Sequence, residues 1–322
     1  MRIIPFLSHI SLPLSERITP RKVWRFIRRI ARVGLHFLSF ARSGSRNGLF
    51  RLLYRLRNAI GFDLPLRLSI DDISFLLHPQ GSIAEEVWMG SLQEEKAILF
   101  MLRIIQPQTI FIDVGANVGL YALAAAQKIH SENIYALEPC EGTFCVLRKN
   151  IRLNQIPNIK AFPIALGDYS GEAQLYINSR NKEGLNTLGK PSHPCCRIVG
   201  KETVPIMTLD EFVEGQGISR VDVMKVDVEG AELQVFRGGR NLLQREDAPL
   251  ILYESASVCT KGFDYHPVEI MWLLDEWGYR FFEINDKNDQ LIPTLSPHVY
   301  KDILVAVKPS HPLFPRLRRS NA

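Results

Sequence analysis

Two stretches of this 322-residue chain have residue types and spacing suited to chemistry. The first is Asp113-Val114-Gly115-Ala116-Asn117-Val118-Gly119. It follows the β-branched run Thr109–Ile112 and opens the helix-like run Leu120–Lys128. In an α/β sheet, a strand, a glycine turn and a helix hold a nucleotide-like ligand. Gly115 and Gly119 let the backbone approach it, and the helix N-terminus offers free N–H groups. The loop is G-x-x-x-G and not the dinucleotide pattern G-x-G-x-x-G. Asp113 stands before the first glycine, where a carboxylate would repel a pyrophosphate. It suits a ligand bearing an ammonium or sulfonium group. S-adenosylmethionine carries both and no phosphate, so charge favours it over a nicotinamide dinucleotide. Glu138 ends the next apolar run, Ile134–Leu137, at the position where an acid accepts hydrogen bonds from ribose hydroxyls.

The second stretch is Lys225-Val226-Asp227-Val228-Glu229-Gly230-Ala231-Glu232. Lys225, Asp227 and Glu229 alternate with valines and are expected on one side of an extended run, at the carboxyl end of a buried strand. Burying a lysine and two acids costs several kcal/mol unless they pair or act in chemistry. The catalytic candidates are therefore Asp227, Glu229, Lys225 and Glu254, the last closing the run Ile251–Tyr253. Asp227 is the candidate base, with Glu229 or Glu254 in reserve and Lys225 orienting the acid or the acceptor oxygen. Asp227 could instead hold the ammonium of the cofactor. The structural alternative is an ion pair with Glu229 as a helix N-terminal charge, and Glu232 is assigned to the helix start. Asp168, after Ala165-Leu166-Gly167, is either a partner for an adenine amino group or an ordinary turn residue.

These residues need a parallel sheet to bring them together. Strand patterns fall at 109–114, 133–138, 159–165, 221–226 and 249–253, and helical patterns at 119–129, 141–154, 231–243 and 267–277. That alternation implies βαβ units. A further helix is expected within 83–105 around Glu94–Leu102, short strands at 65–77, and a hairpin at 172–178 followed by a loop to about residue 200. Tyr279–Ile284 and Ile303–Val307 read as a final, antiparallel pair.

Composition narrows the function classes. Hydrophobic content of 46% and 23% charged residues are those of a globular protein. The five cysteines form no C-x-x-C pair, which argues against zinc and a disulfide framework and for a reducing, cytoplasmic location. No metal-ligand cluster stands out, and no metal is expected. No apolar run approaches the roughly 20 residues of a spanning helix. The net charge of +5 hides an asymmetry. Residues 1–60 hold 13 of the 39 basic residues and one of the 34 acids. They form an expected extension, with the catalytic domain at 61–322. Residues 21–42 read as an amphipathic helix with Trp24, Ile27 and Leu35 on one face and Arg21, Arg25, Arg28, Arg29 and Arg32 on the other. Such a helix either packs on the domain with its arginines solvated, lies on an anionic membrane surface, or meets nucleic acid, the last being least favoured.

The motifs in order are Asp113 to Gly119 with Tyr121, Glu138-Pro139, Ala165-Leu166-Gly167, Thr208-Leu209-Asp210, and Lys225 to Glu232. Together they resemble the FkbM family of methyltransferases over about residues 85–285. Asn117, where generic class I methyltransferases carry a third glycine, matches the FkbM pattern. The resemblance implies a Rossmann-like seven-stranded sheet with an antiparallel last strand, flanked by helices. It also implies S-adenosylmethionine as methyl donor to an oxygen of a sugar, polyketide or glycolipid. Asp113, Gly115, Asn117, Gly119, Glu138 and Asp168 are then the cofactor-binding set, and a small molecule or glycan is the acceptor. The alternatives are an RNA or protein methyltransferase recruited by the basic arm, a nicotinamide-dependent oxidoreductase, and a non-catalytic membrane-associated adaptor.

Overall fold

The computed structural model describes residues 66–70, 73–77, 94–179, 184–285, 291–294 and 302–314. The 1–60 extension, with its amphipathic segment 21–42 and its boundary at residue 61, lies outside the described residues, as does the start of the 83–105 stretch. By its contacts the chain divides into residues 1–66 with 78–92, and residues 67–77 with 93–322. The second unit contains all the candidate site residues.

Strands β1 (Leu66–Ile70) and β2 (Ile73–Leu77) form a small sheet. Helix α1 (Glu95–Ile104) buries Ala97, Phe100, Met101 and Ile104, the spacing of one helical face. Next come β3 (Phe111–Val114), α2 (Leu120–Ala125), β4 (Ile134–Leu137), α3 (Glu141–Leu153) and β5 (Ile159–Phe162). These three strands pair in parallel. All four residues of β3 and of β4 are buried, which is why both read as unbroken apolar runs.

The expected strand 159–165 divides at Pro163. Proline has no N–H to give to a ladder, so the chain leaves the sheet after Phe162 and resumes as β6 (Ala165–Gly167). β6 joins β7 (Gly171–Asn178) and β8 (Ile198–Thr208) in a separate three-stranded sheet of order β6-β8-β7. The expected local hairpin at 172–178 is thus a single strand, paired antiparallel with the more distant β8.

Helix α4 (Leu209–Gly215) starts from a capping box, with the Thr208 side chain accepting from the Glu211 N–H and the Glu211 side chain accepting from the Thr208 N–H. Then follow β9 (Val223–Val226), α5 (Glu232–Gly238) and α6 (Arg240–Gln244). The single helix expected over 231–243 is broken at Gly238-Gly239. A Cβ on Gly238 would lie 1.9 Å from the Gly167 carbonyl oxygen, so only glycine lets β6 pass so close. The chain closes with β10 (Leu250–Ser255), α7 (Ser257–Thr260), a 3-10 turn at Lys261–Phe263, α8 (Val268–Glu276), β11 (Arg280–Ile284), β12 (Leu291–Pro293) and β13 (Asp302–Val307).

The main sheet has the order β12-β11-β13-β10-β9-β3-β4-β5. β13 lies antiparallel between β10 and β11. This is the Rossmann-like seven-stranded arrangement with its last strand reversed, extended by the short edge strand β12. Winding runs outward through β4 and β5 on one side of β3, and through β10 on the other side of β9. The carboxyl ends of β3 and β9 therefore frame the crevice where ligands bind in open α/β sheets. Among the described residues no helix is long and apolar enough to cross a membrane.

Candidate active site

β3 and β9 are paired so that Asp113 sits opposite Lys225 and Val114 opposite Val226. Two motifs far apart in the chain thereby meet. Asp113 is fully buried. Its Oδ2 accepts the Ala122 N–H at 3.0 Å, tying the strand end to the first turn of α2, and its Oδ1 has no hydrogen-bond partner among the described residues. Oδ1 lies 3.9 Å from Lys225 Nζ. Burial pushes the Asp113 carboxyl up to about 6, although the nearby Lys225 ammonium and the Ala122 bond pull the other way.

Lys225 is the hub. Its Nζ lies 3.2 Å from Asp227 Oδ2, donates to the Gly115 carbonyl at 3.3 Å, and stands 4.9 Å from the centre of the Tyr121 ring. Burial by itself would lower its pKa. The charges of Asp227, Asp113 and Glu94 outweigh that and raise it, so the amine stays protonated. Tyr121 is buried, and desolvation followed by the negative charges of Glu94 and Asp227 raises its phenol well above the usual value.

The glycine loop is shaped by its neighbours. Gly115 has φ +77°, and a Cβ there would lie 1.9 Å from the Asp227 carbonyl oxygen. Gly119 has φ +99° and Asn117 has φ +50°. Asparagine is among the few side chains that tolerate this left-handed region, which explains how it can replace a glycine. The Asn117 N–H donates to Glu138 Oε2 at 3.0 Å, and Glu138 Oε1 accepts from the Cys140 N–H at 2.9 Å. Glu138 thus pins the loop to the end of β4, and burial pushes its carboxyl up to about 7.

Past β9 the expected alternation ends. The strand stops at Val226, and Glu229 has φ +53°, so a turn and not the strand pleat places it. Glu229 Oε2 accepts the Cys259 thiol proton at 3.1 Å. Burial, followed by the charge of Glu229, pushes that thiol far up, so it is no nucleophile. Glu254 lies buried at the end of β10. Asp227, Glu232 and Glu254 come within 4.8 Å of one another, as do Glu229, Glu254 and Cys259. Glu232 Oε1 accepts the Val228 and Gly230 N–H groups, so it holds the turn that starts α5, the role read for it from sequence. Burial pushes Glu232 up to about 7. Either trio has a spacing a cation could bridge.

The structure thus gathers Asp113, Gly115, Asn117, Gly119, Glu138, Lys225, Asp227, Glu229 and Glu254 around the carboxyl ends of four neighbouring strands. Asp168 lies on an exposed turn between β6 and β7, where the nearby Ser170 hydroxyl meets Glu211 of α4. Two residues escaped the sequence reading. Glu94, read only as part of a helical run, stands at the head of α1 with its charge acting on Lys225 and Tyr121. Thr187, within an unremarkable loop, donates to the Glu229 carbonyl. Neither carries a local pattern that would have singled it out.

Residues 113–281 match the model of the methyltransferase FkbM domain. The hexuronic acid methyltransferase AglP of Haloferax volcanii is 30% identical over 166 residues, covering 50% of this chain and 63% of that protein. The 31-O-demethyl-FK506 methyltransferase FkbM of Streptomyces tacrolimicus is 24% identical over 199 residues, covering 52% of this chain and 76% of that protein. The crystal structure of methyltransferase FkbM from Methylobacillus flagellatus superposes with a TM-score of 0.43 at 12% identity, covering 80% of this chain and 58% of that one.

Proposed function

This chain belongs to the FkbM methyltransferase family, and we propose that it methylates a hydroxyl oxygen of a sugar, glycolipid or related small molecule. The donor is S-adenosylmethionine, which supplies, when bound, a methyl group already activated by a sulfonium. The residues present fit that donor. Asp113 Oδ1 and Asn117 Oδ1 are buried polar atoms without hydrogen-bond partners among the described residues, and Gly115 and Gly119 stand where neighbouring atoms leave no room for a side chain, so the loop presents backbone to a ligand. The buried Asp113 carboxylate, with Oδ1 left unbonded, favours a cationic ligand. Asp113, Asn117 and Glu138 are the residues that would hold it.

One observation carries the reading: the glycine loop and Asp227 share a wall, joined by Lys225. Among the paired acids, Asp227 is the one with access to solvent, its side chain 18% exposed against none for Asp113. It is therefore the acid placed to meet an acceptor. Lys225 fixes the Asp227 carboxylate, and Asp227 takes the proton from the acceptor hydroxyl. A positioned base of this kind contributes about 10²–10⁴-fold. Holding the reacting oxygen in line supplies roughly 7–11 kcal/mol more. Glu229 and Glu254 lie deeper and shape the floor. The name of the 31-O-demethyl-FK506 methyltransferase supports oxygen as the accepting atom, and that of the hexuronic acid methyltransferase supports a sugar acid as an acceptor class.

The test incubates the protein with methyl-labelled donor and fractionated glycans and lipids from its source cell. Labelled methyl ether in a glycan or lipid fraction supports the proposal, and label confined to RNA or protein refutes it. Asp227→Asn should abolish turnover while leaving cofactor affinity nearly intact. Equal loss of both would show that Asp227 binds the cofactor and is not the base.

A further inference from the structure

The segment between β7 and β8 makes an unusual set of contacts. Asn178, buried at the end of β7, clamps its base. The Asn178 N–H donates to Asn186 Oδ1 at 2.8 Å, and Asn178 Oδ1 accepts from the Arg197 N–H at 2.7 Å. From that base residues 187–192 run past the Glu229 turn and along α7. Thr187 Oγ1 donates to the Glu229 carbonyl at 2.9 Å and accepts from the Gly189 N–H at 3.2 Å. The Lys190 N–H donates to the Gly262 carbonyl at 3.0 Å, and Ser192 Oγ donates to the Val258 carbonyl at 2.6 Å. A Cβ on Gly262 would lie 2.2 Å from the Lys190 carbonyl oxygen, so the two segments are in close backbone contact. The strap is thus tied at one end to Glu229 and at the other to α7, which carries Cys259.

Glu229 is a bulky residue with φ +53°, a conformation that persists only where surroundings fix it. Three groups do so. Cys259 holds its carboxylate, Glu232 holds the N–H groups on either side, and Thr187 holds its carbonyl. The first two come from the fold's core, whereas Thr187 comes from the inserted sheet. We propose that Thr187 is a positioning residue. Through the Glu229 carbonyl it keeps the Glu229 carboxylate turned toward Cys259, and it makes residues 187–192 the wall of the acceptor side of the crevice. This assignment rests on the reading of the crevice as the acceptor site.

The test uses the full chain and two readouts. The first is alkylation of individual cysteines by iodoacetamide, followed by peptide mass spectrometry. Cys145 and Cys195 are exposed and report the reagent, while Cys140 and Cys259 are buried. Thr187→Val removes the hydroxyl at constant shape and should accelerate Cys259 labelling about tenfold, the factor that loss of one buried hydrogen bond represents. Thr187→Ser should restore the parent rate. Ser192→Ala, cutting the other tie, should accelerate Cys259 by a smaller factor. The second readout is methyl transfer to glycans from labelled donor, which should fall about tenfold in Thr187→Val and recover in Thr187→Ser at unchanged cofactor affinity. Parent-like Cys259 labelling in Thr187→Val and Ser192→Ala, or equal acceleration at Cys140, overturns the assignment. The thiol readout needs no acceptor. Failure of the glycan reading would therefore appear as an unmethylated glycan pool in the parent protein, with the labelling pattern intact.

Discussion

Replacing Lys225 by methionine tests how the two motifs are held together. Methionine keeps most of the volume of the stem and removes the charge. In the parent, Nζ is 3.2 Å from Asp227 Oδ2 and 3.9 Å from Asp113 Oδ1. At an effective dielectric of about 20 these separations correspond to gross attractions of about 5 and about 4 kcal/mol. The cost of burying the ammonium offsets much of that, so the net loss on breaking the pair is about 3–5 kcal/mol. The loss depends on pH. Asp113 titrates at about 6 in the fold against an ordinary aspartate value of 3.8, so the native state binds this proton more tightly than the unfolded chain does. Its ionisation therefore lowers stability as pH rises from about 4 through 6, and Lys225 limits the effect. Without Lys225 the Asp113 pKa climbs further, adding about 1.4 kcal/mol of loss per unit at pH 8 and little at pH 5. Urea unfolding of both proteins at the two pH values measures this directly. A deficit below about 1 kcal/mol at pH 8, or one equal at pH 5 and pH 8, would refute the coupling of Asp113, Lys225 and Asp227.

Two further outcomes follow from the same geometry. Gly115→Ala puts a methyl group 1.9 Å from the Asp227 carbonyl oxygen at φ +77°, so strain and overpacking should cost about 2–5 kcal/mol and donor binding should be lost. Parent-like melting with an unchanged Kd would sink that reasoning. Because Asp113 is half protonated near pH 6, binding a cationic donor there should release roughly half a proton, with affinity rising as pH climbs toward 7. Titration calorimetry in buffers of different ionisation enthalpy reads the release, and a pH-independent affinity without proton release would remove Asp113 from the cation site.

What the sequence determined by itself was local. The order strand, glycine turn and helix around Asp113 is written in about twenty consecutive residues, and so are the left-handed tolerance of Asn117 and the acid before the first glycine. Asp113 and Lys225 lie 112 positions apart in sequence numbering, and each motif announced itself within its own neighbourhood. Periodicity also located β3, β4, β9, β10 and their helices, because buried parallel strands must be apolar throughout. It failed where a single residue interrupts a pattern. Pro163 ends β5, and Gly238-Gly239 divides one expected helix, yet neither interrupts hydrophobic periodicity enough to show that a second sheet passes there.

The tertiary structure alone decided which charges meet. Sheet register sets Asp113 opposite Lys225, and a left-handed turn carries Glu229 away from the pleat toward Cys259. Glu94 and Thr187 reach the site from a helix head and an inserted strap, and neither carries a motif. Asp168, adjacent to a motif, is left on an exposed turn. The physical reason is range. Turn and helix preferences act over a few residues, whereas an ion pair or a carbonyl contact depends on strand order and register, which many weak burial terms fix together.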